Sequence, residues 1–131
     1  MTVYVLDTNV WSDVARGIGK AGRKLSTIPM PRVLVAAPAL YELRRVPPTA
    51  AAWKALNRLV THITSFYEVT PFDVVAANHA ADLANTLRAK GRTLHHIDMM
   101  VAGIAIARGA TLVTRDKDFA KAPGLKIESW T

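Results

Sequence analysis

The 131-residue sequence contains no cysteine. This absence excludes disulfide bonds, a thiolate nucleophile and zinc-thiolate sites, and it fits a reducing compartment. No apolar run is long enough to span a membrane, and the first residues lack both a basic segment and a cleavage site. We therefore expect a cytoplasmic protein with no membrane partner.

Acidic residues are also scarce. Asp and Glu total 10 against 17 Lys and Arg, so the formal net charge is +7. A basic balance favours a polyanionic partner such as nucleic acid, although it can also serve solubility alone. Half of the residues are hydrophobic and 21% are charged, a composition typical of one folded domain, which we place at residues 1–131.

Short β-rich runs alternate with segments of helical period along the chain. Such alternation predicts a mostly parallel sheet with helices on both faces. The predicted strands are residues 2–6, 33–36, 66–69, 110–114 and 125–130. The predicted helices begin after residue 7, at 38, at 49, at 71 and at 97, whereas residues 17–24 are predicted as a basic loop, with a short helical turn near 25 left open.

Four acids stand at element ends or beside apolar residues. Asp7 follows the first strand, Glu42 lies in an apolar context, Asp98 precedes a long apolar helix, and Asp116 follows the fourth strand. Ligands of parallel sheets bind at the carboxyl ends of the strands. Asp7 and Asp116 are therefore predicted to share that rim.

Each of the first two acids also has a purely structural explanation. Asp7 could cap the first helix, a role that Asn9 could take instead. Glu42 could form a surface ion pair with Arg45, three residues later on the same helix.

The remaining acids have structural explanations as well. Asp98 could be a first-turn acid that interacts with the helix dipole, and Asp116 and Asp118 could be ordinary turn residues. Taken together, however, four converging carboxylates would repel one another and raise one another's pKa. A hard cation, Mg²⁺ or Mn²⁺, would relieve that repulsion and would support hydrolysis of a phosphodiester bond.

The motifs resemble those of the PIN domain family, and within it the VapC toxins of bacterial type II toxin-antitoxin pairs. The resemblance covers essentially the whole chain in the right order. It rests on Val5-Leu6-Asp7-Thr8-Asn9, on Glu42 after Ala37-Pro38-Ala39-Leu40-Tyr41, on Asp98 at the start of a buried helix, and on Leu112-Val113-Thr114-Arg115-Asp116-Lys117-Asp118-Phe119.

The resemblance implies a Rossmann-like three-layer α/β/α sandwich and a Mg²⁺-dependent endoribonuclease, with Mn²⁺ as a substitute. It also implies a homodimer, an RNA substrate and a small antitoxin protein. Carried over by residue, the acidic quartet is Asp7, Glu42, Asp98 and Asp116, of which Asp7, Asp98 and Asp116 would hold the metal and Asp7 and Asp98 foremost.

Polar neighbours would support the quartet. The resemblance assigns this role to Thr8, Asn9 and Thr114. Many relatives have a longer stretch before the final acid and Phe pair, so either Asp116 or Asp118 could face the metal. We favour Asp116 and keep Asp118 as a supporting residue.

Other side chains are less specific. We interpret His95 and His96 as structural, because adjacent side chains diverge at a helix start and oxygen ligands suit Mg²⁺ better. Trp11 and Trp53 are predicted to lie in the core or a dimer interface. The basic residues near the first helix are candidates for contact with the RNA backbone, although a solvated loop explains them equally well: Arg16, Lys20, Arg23 and Lys24.

Two other functions compete with the ribonuclease hypothesis. A phosphotransferase similar to haloacid dehalogenases would use Asp7 as its nucleophile, but such enzymes need a second Asp at the position of Asn9. A PIN-like module that binds RNA without cleaving it would not need all four acids.

Overall fold

In this computed structural model, residues 1–120 and 122–131 are described in full and residue 121 by its backbone alone. Within that description, five parallel strands form one sheet in the order β3-β2-β1-β4-β5. The strands are β1 (Tyr4–Leu6), β2 (Val33–Ala36), β3 (Glu68–Thr70), β4 (Thr111–Val113) and β5 (Lys126–Glu128). The predicted α/β class is confirmed, and every pairing in this sheet is parallel.

The helices that cover the sheet fall into two groups. The first four helices along the chain form one connected group, whereas the fifth packs mainly on the sixth, which also touches the third. This arrangement is that of a three-layer α/β/α fold. The helices are α1 (Thr8–Arg16), α2 (Ala21–Ser26), α3 (Ala37–Arg44), α4 (Trp53–Phe66), α5 (Val74–Ala89) and α6 (His96–Ala107), with short 3-10 turns at Met30–Arg32 and Lys117–Lys121.

The central strands are buried throughout. Every residue of β1, β2 and β4 is buried, which explains why these segments are continuous apolar runs in the sequence. Trp11 is fully buried on α1, which confirms its predicted core position, and Trp53 is half-buried on α4. No helix of the described residues is long and apolar enough to cross a membrane.

The prediction of a loop at residues 17–24 is wrong in its second half, where α2 forms. Ala21 and Leu25 are 4% and 8% exposed, so this one-turn spacing buries two side chains against the core. A helix of only six residues carries too few apolar positions for its period to be recognised.

Other boundaries also differ from the prediction. Helix α4 begins at Trp53 instead of residue 49 and continues to Phe66, so β3 starts two residues later than expected. Helix α5 begins at Val74 instead of Pro71, because the Asp73 side chain accepts a 2.9 Å hydrogen bond from the Ala76 N–H and caps the helix there.

Helices α5 and α6 approach each other closely at Gly103. A Cβ atom at this position would lie 2.5 Å from the Ala76 carbonyl oxygen and 2.8 Å from the Ala80 Cβ. Both neighbours belong to α5, and one of them is backbone, so neither can move aside easily. The crossing therefore depends on glycine.

Gly103→Ala should lower the free energy of unfolding by about 1–3 kcal/mol, because the added methyl group overpacks the α5–α6 crossing. Urea unfolding measures this change. Gly22→Ala on α2 is the matched control, since nothing outside its own helix backbone lies within 4 Å of the place that a methyl group would take. Alanine there should be neutral or stabilising by about 0.5–1 kcal/mol. Equal stability of the two variants would contradict the packing argument.

Candidate active site

The predicted site lies at the carboxyl ends of β1 and β4. The chain runs from β1 outward through β2 and β3, then returns to the other side of β1 as β4. The order of strands therefore reverses between β1 and β4, where the crevice of a parallel sheet opens. Asp7 directly follows β1 and donates its backbone N–H to the Val113 carbonyl at 2.9 Å.

Asp7 is buried at this rim, with 3% of its surface exposed. Its Oδ2 accepts a 3.0 Å hydrogen bond from the Thr114 hydroxyl. Asp7 also occupies the position before α1, but its carboxylate makes none of the usual capping hydrogen bonds, and the backbone N–H of the helix that acts on it is that of the first residue, Thr8. The helix-cap explanation therefore accounts for where Asp7 stands and for little of what its side chain does.

Glu42 projects from α3, which begins directly after β2. Its Oε1 accepts a 2.7 Å hydrogen bond from the Thr8 hydroxyl in the first turn of α1. The predicted alternative of an ion pair with Arg45 is wrong, because the Arg45 guanidinium lies 5.8 Å from the centre of the exposed Tyr41 ring instead. Glu42 is thus held toward the site.

Asp98 lies in the first turn of α6 and is half-buried. The His95 Nδ1 accepts a 3.3 Å hydrogen bond from the Ile97 N–H and caps this helix. His95 and His96 are both exposed. The cap gives His95 a structural role, in agreement with the interpretation from the sequence.

The two candidates for the fourth acid position differ in their contacts. The Asp116 N–H donates to the Thr114 Oγ1 at 3.0 Å, and the Asp116 Oδ1 accepts from the Asp118 N–H at 2.9 Å. The Asp118 side chain is 58% exposed and pairs with Arg92 at 3.3 Å. Asp116 is therefore the better placed of the two to face the other acids.

The electrostatics of Asp7 reflect its burial. Loss of solvent is the main cause that raises its pKa above the ordinary value of 3.8, and hydrogen bonds from Thr114 and the Thr8 backbone oppose it. The charges of Glu42 and Asp116 raise the pKa further. The repulsion expected from the sequence is present, but burial is the larger cause.

Asp98 shows the same pattern more strongly. Burial first, then the charges of Asp7 and Glu42, raise its pKa to about 6, while His95 acts in the opposite direction and Asp116 adds to the rise. The four predicted acids are therefore close enough to influence one another. A group of carboxylates whose charged forms are disfavoured in this way is a candidate functional site.

The donor set suits a hard divalent cation. Its atoms are carboxylate oxygens, which Mg²⁺ and Mn²⁺ prefer, and cysteine is absent. Among the described side chains, no three acids or histidines converge closely enough to enclose an ion. Mg²⁺ usually takes one or two carboxylates directly and keeps several waters, so it does not require a closed cluster of acids.

The remaining predicted residues lie at the surface. Asn9 is exposed on α1, and no hydrogen bond of its side chain is found among the described residues. The four candidates for contact with the RNA backbone are all exposed, on or near α1 and α2: Arg16, Lys20, Arg23 and Lys24.

Two features of this surface were missed from the sequence. Arg115, next to Asp116, forms an ion pair of 3.0 Å with Asp13 of α1, which ties the end of β4 to that helix. No sequence pattern signals this contact between residues 102 positions apart.

A cleft of about 640 Å³ also runs along α4 between Trp53 and Phe66, and it contains none of the four acids.

The family model described as PIN domain matches residues 4–125 of this chain. A curated relative is the tRNA(fMet)-specific endonuclease VapC of Salmonella typhimurium, 28% identical over 99% of this chain and 99% of the relative. Its namesake from Shigella flexneri is 24% identical over the full length of both chains.

Solved structures that are similar to this chain include two VapBC complexes. The DNA-bound VapBC of Salmonella typhimurium is 28% identical and superposes with a TM-score of 0.86 over 100% of both chains. VapBC2 of Rickettsia felis, bound to a promoter DNA fragment, has 22% identity and a TM-score of 0.83 over 99% of this chain and 100% of that chain. The second likeness supports the fold alone.

Asp98→Asn should change how stability depends on pH. The Asp98 pKa is about 6 in the folded chain against an ordinary 3.8. A carboxyl with a raised pKa stabilises the fold while protonated, and that contribution is lost as the pH rises from about 4 through about 6. In chelator, the wild type should therefore lose stability over this interval relative to Asp98→Asn, which should be the more stable protein at pH 7.

Thermal unfolding at about pH 3.5 and about pH 7.5, on either side of that interval, measures this difference. Asp82→Asn, which removes an exposed acid from α5, is the matched control and should follow the wild type at both values. A wild type and an Asp98→Asn variant that keep the same difference in Tm at both pH values would refute the assignment.

Proposed function

This chain belongs to the PIN domain family, and from that membership we propose that it is a metal-dependent endoribonuclease, the toxin of a type II toxin-antitoxin pair. The observation that carries the proposal is that Glu42 and Asp116 lie near enough to raise the pKa of Asp7 and of Asp98 at one sheet edge of a chain whose net charge is +7. Like charges gathered at the rim of a parallel sheet need a cation, and a basic protein attracts a polyanion.

The cation would be Mg²⁺, with Mn²⁺ as a substitute, and it would be held by Asp7 and Asp98 foremost, with Asp116 as the third residue of the site. When bound, a divalent cation activates water as a nucleophile and stabilises the charge that develops on a scissile phosphate. The raised pKa of Asp7 and of Asp98 supports this assignment, because each must be charged to bind a cation and the fold alone disfavours that charge.

The polar neighbours orient these acids. The Thr8 hydroxyl fixes one oxygen of Glu42, and the Thr114 hydroxyl fixes one oxygen of Asp7. The Thr114 hydroxyl oxygen also accepts from the Asp116 N–H, so one side chain sets the positions of two acids. Such partners determine which carboxylate oxygens remain for a ligand.

The substrate is RNA, reached in single-stranded or loop regions where the backbone is accessible. Two curated relatives carry the name tRNA(fMet)-specific endonuclease, which makes initiator tRNA the first substrate to test. The exposed basic residues near α1 and α2 would contact its phosphates: Arg16, Lys20, Arg23 and Lys24.

The proposed partners are a cognate antitoxin and a second copy of this chain. The solved relative of 28% identity is a VapBC complex, which supports an antitoxin that binds this chain. A toxin whose substrate is cellular RNA works in the cytoplasm, and we place this protein there.

Membership of the PIN domain family argues against one of the two competing functions and leaves the other to be tested. A phosphotransferase similar to haloacid dehalogenases loses its support, because the family model that matches is the PIN domain and Asn9 is exposed where a second Asp would be needed. An inactive module differs from the proposed enzyme in one measurable respect, since it would bind RNA and leave it intact.

Purified wild type should cleave initiator tRNA with Mg²⁺ and should stop when EDTA is added. Asp7→Asn should lower the cleavage rate by at least about 100-fold, because it removes a charged ligand of similar shape. Rates are followed on end-labelled RNA in denaturing gels. Cleavage by Asp7→Asn at the wild-type rate would identify a contaminant, and binding of RNA without cleavage by the wild type would favour the inactive module.

Thr114→Val should weaken cleavage about tenfold at limiting Mg²⁺, because Asp7 and Asp116 lose the hydroxyl that positions them. Thr111→Val, at the start of the strand that Thr114 follows, is the matched control, since the Thr111 hydroxyl has no hydrogen bond among the described side chains. Titration of Mg²⁺ separates the effects, and saturating metal should restore part of the loss in Thr114→Val. Equal metal requirements for the two variants would rule out the positioning role.

A further inference from the structure

A cleft of about 480 Å³ opens beside the carboxylates at the carboxyl ends of β4 and β5. Thr114 and Asp116 form part of its wall, so the cleft is continuous with the candidate active site. Its volume falls in the range of about 300–1000 Å³ that is common for small-molecule sites. Lys117, Ala120, Ile127 and Ser129 complete much of the lining.

The walls combine apolar surface with hydroxyl groups. Ala120 and Ile127 offer small aliphatic faces, and the hydroxyls of Ser129 and Thr131, which also line the cleft, lie 3.0 Å apart in a hydrogen bond. A nucleobase has the matching chemistry, with a flat apolar face and polar edges. The hydroxyls of Ser129 and Thr131 can each donate to or accept from such an edge.

Two cationic side chains line the cleft, and they differ in whether they can contact a phosphate. Arg115 lines the cleft, but its guanidinium is held by Asp13 at 3.0 Å, and the Asp13 side chain is 14% exposed. Lys117 is exposed, and within the described part of the chain it has no carboxylate partner. Lys117 is therefore the cation of this wall that is available to a phosphate.

We propose that this cleft binds the nucleoside next to the scissile phosphate of the RNA, and we call it the flanking-nucleoside cleft. Its base lies against Ala120 and Ile127, and Lys117 contacts a phosphate beside that nucleoside. The proposal rests on the proposed ribonuclease function. It makes the cleft a determinant of where the RNA is cut.

Ser129→Glu tests the cleft by placing a larger, charged side chain in its wall, and Lys117→Gln tests the phosphate contact. Both residues are exposed, so the fold should persist, and thermal unfolding checks this. Ser65→Glu on α4 and Lys126→Gln on β5 make the same chemical changes at exposed positions outside the cleft.

Binding is measured with a short single-stranded oligoribonucleotide in an Asp7→Asn background, so that cleavage does not interfere. Ser129→Glu should weaken binding about tenfold, because the added carboxylate occupies the cleft and repels the phosphates of the RNA. Lys117→Gln should reduce the slope of log affinity against log salt by about 0.7. In the active chain both changes should raise KM more than they lower kcat, whereas the two control variants should follow the wild type.

Oligonucleotides with a single abasic position identify the bound nucleoside. An abasic residue on one side of the cleavage site should weaken binding to the Asp7→Asn chain about tenfold and should have little further effect once Ser129→Glu is present. The proposal is overturned if Ser129→Glu and Lys117→Gln bind like their controls, or if the abasic and Ser129→Glu effects add independently at both flanking positions. Failure of the wild type to cleave any RNA would overturn the proposed function instead.

Discussion

The burial of the Asp7 carboxylate at the end of the central strand is the constraint on which the site depends. A charge placed there loses its solvent and receives only the Thr114 hydroxyl and the Thr8 backbone in exchange. These hydrogen bonds do not offset the burial, and the neighbouring acids disfavour the charge further. The fold therefore disfavours the charged form of Asp7, and an external cation is the natural means to compensate that charge.

The rest of the architecture delivers the other acids to that point. Short, fully buried strands place Asp7 and Thr114 side by side, and α3 and α6 bring Glu42 and Asp98 in from the helices. Each acid comes from a different element, so no local segment could form the site alone. The geometry is a product of the whole sheet and of the reversal in strand order between β1 and β4.

Much of this arrangement could be predicted from the sequence, because its signals are local. Continuous apolar runs indicate β2 and β4, and the position of Asp7 after a strand places it at the correct rim. Helix α2 escapes prediction because six residues show too little of the helical period. The partner of Glu42 escapes it too, since Arg45 is its neighbour in sequence whereas Thr8, 34 residues away, is its partner in space. The larger share of burial in the raised pKa values likewise depends on packing, which no spacing of residues encodes.

The tight crossing at Gly103 has a consequence for the acid at the other end of the same helix. Gly103 lies five positions after Asp98, a rise of about 7.5 Å along α6. Because α6 lies directly against the backbone of α5 at that crossing, the contact fixes the depth to which the first turn of α6 enters the molecule. Substitutions at the α5–α6 interface are thus limited by the active site as well as by stability. A larger residue at Gly103 would shift α6 and would move the Asp98 carboxylate, although Asp98 takes no part in the crossing.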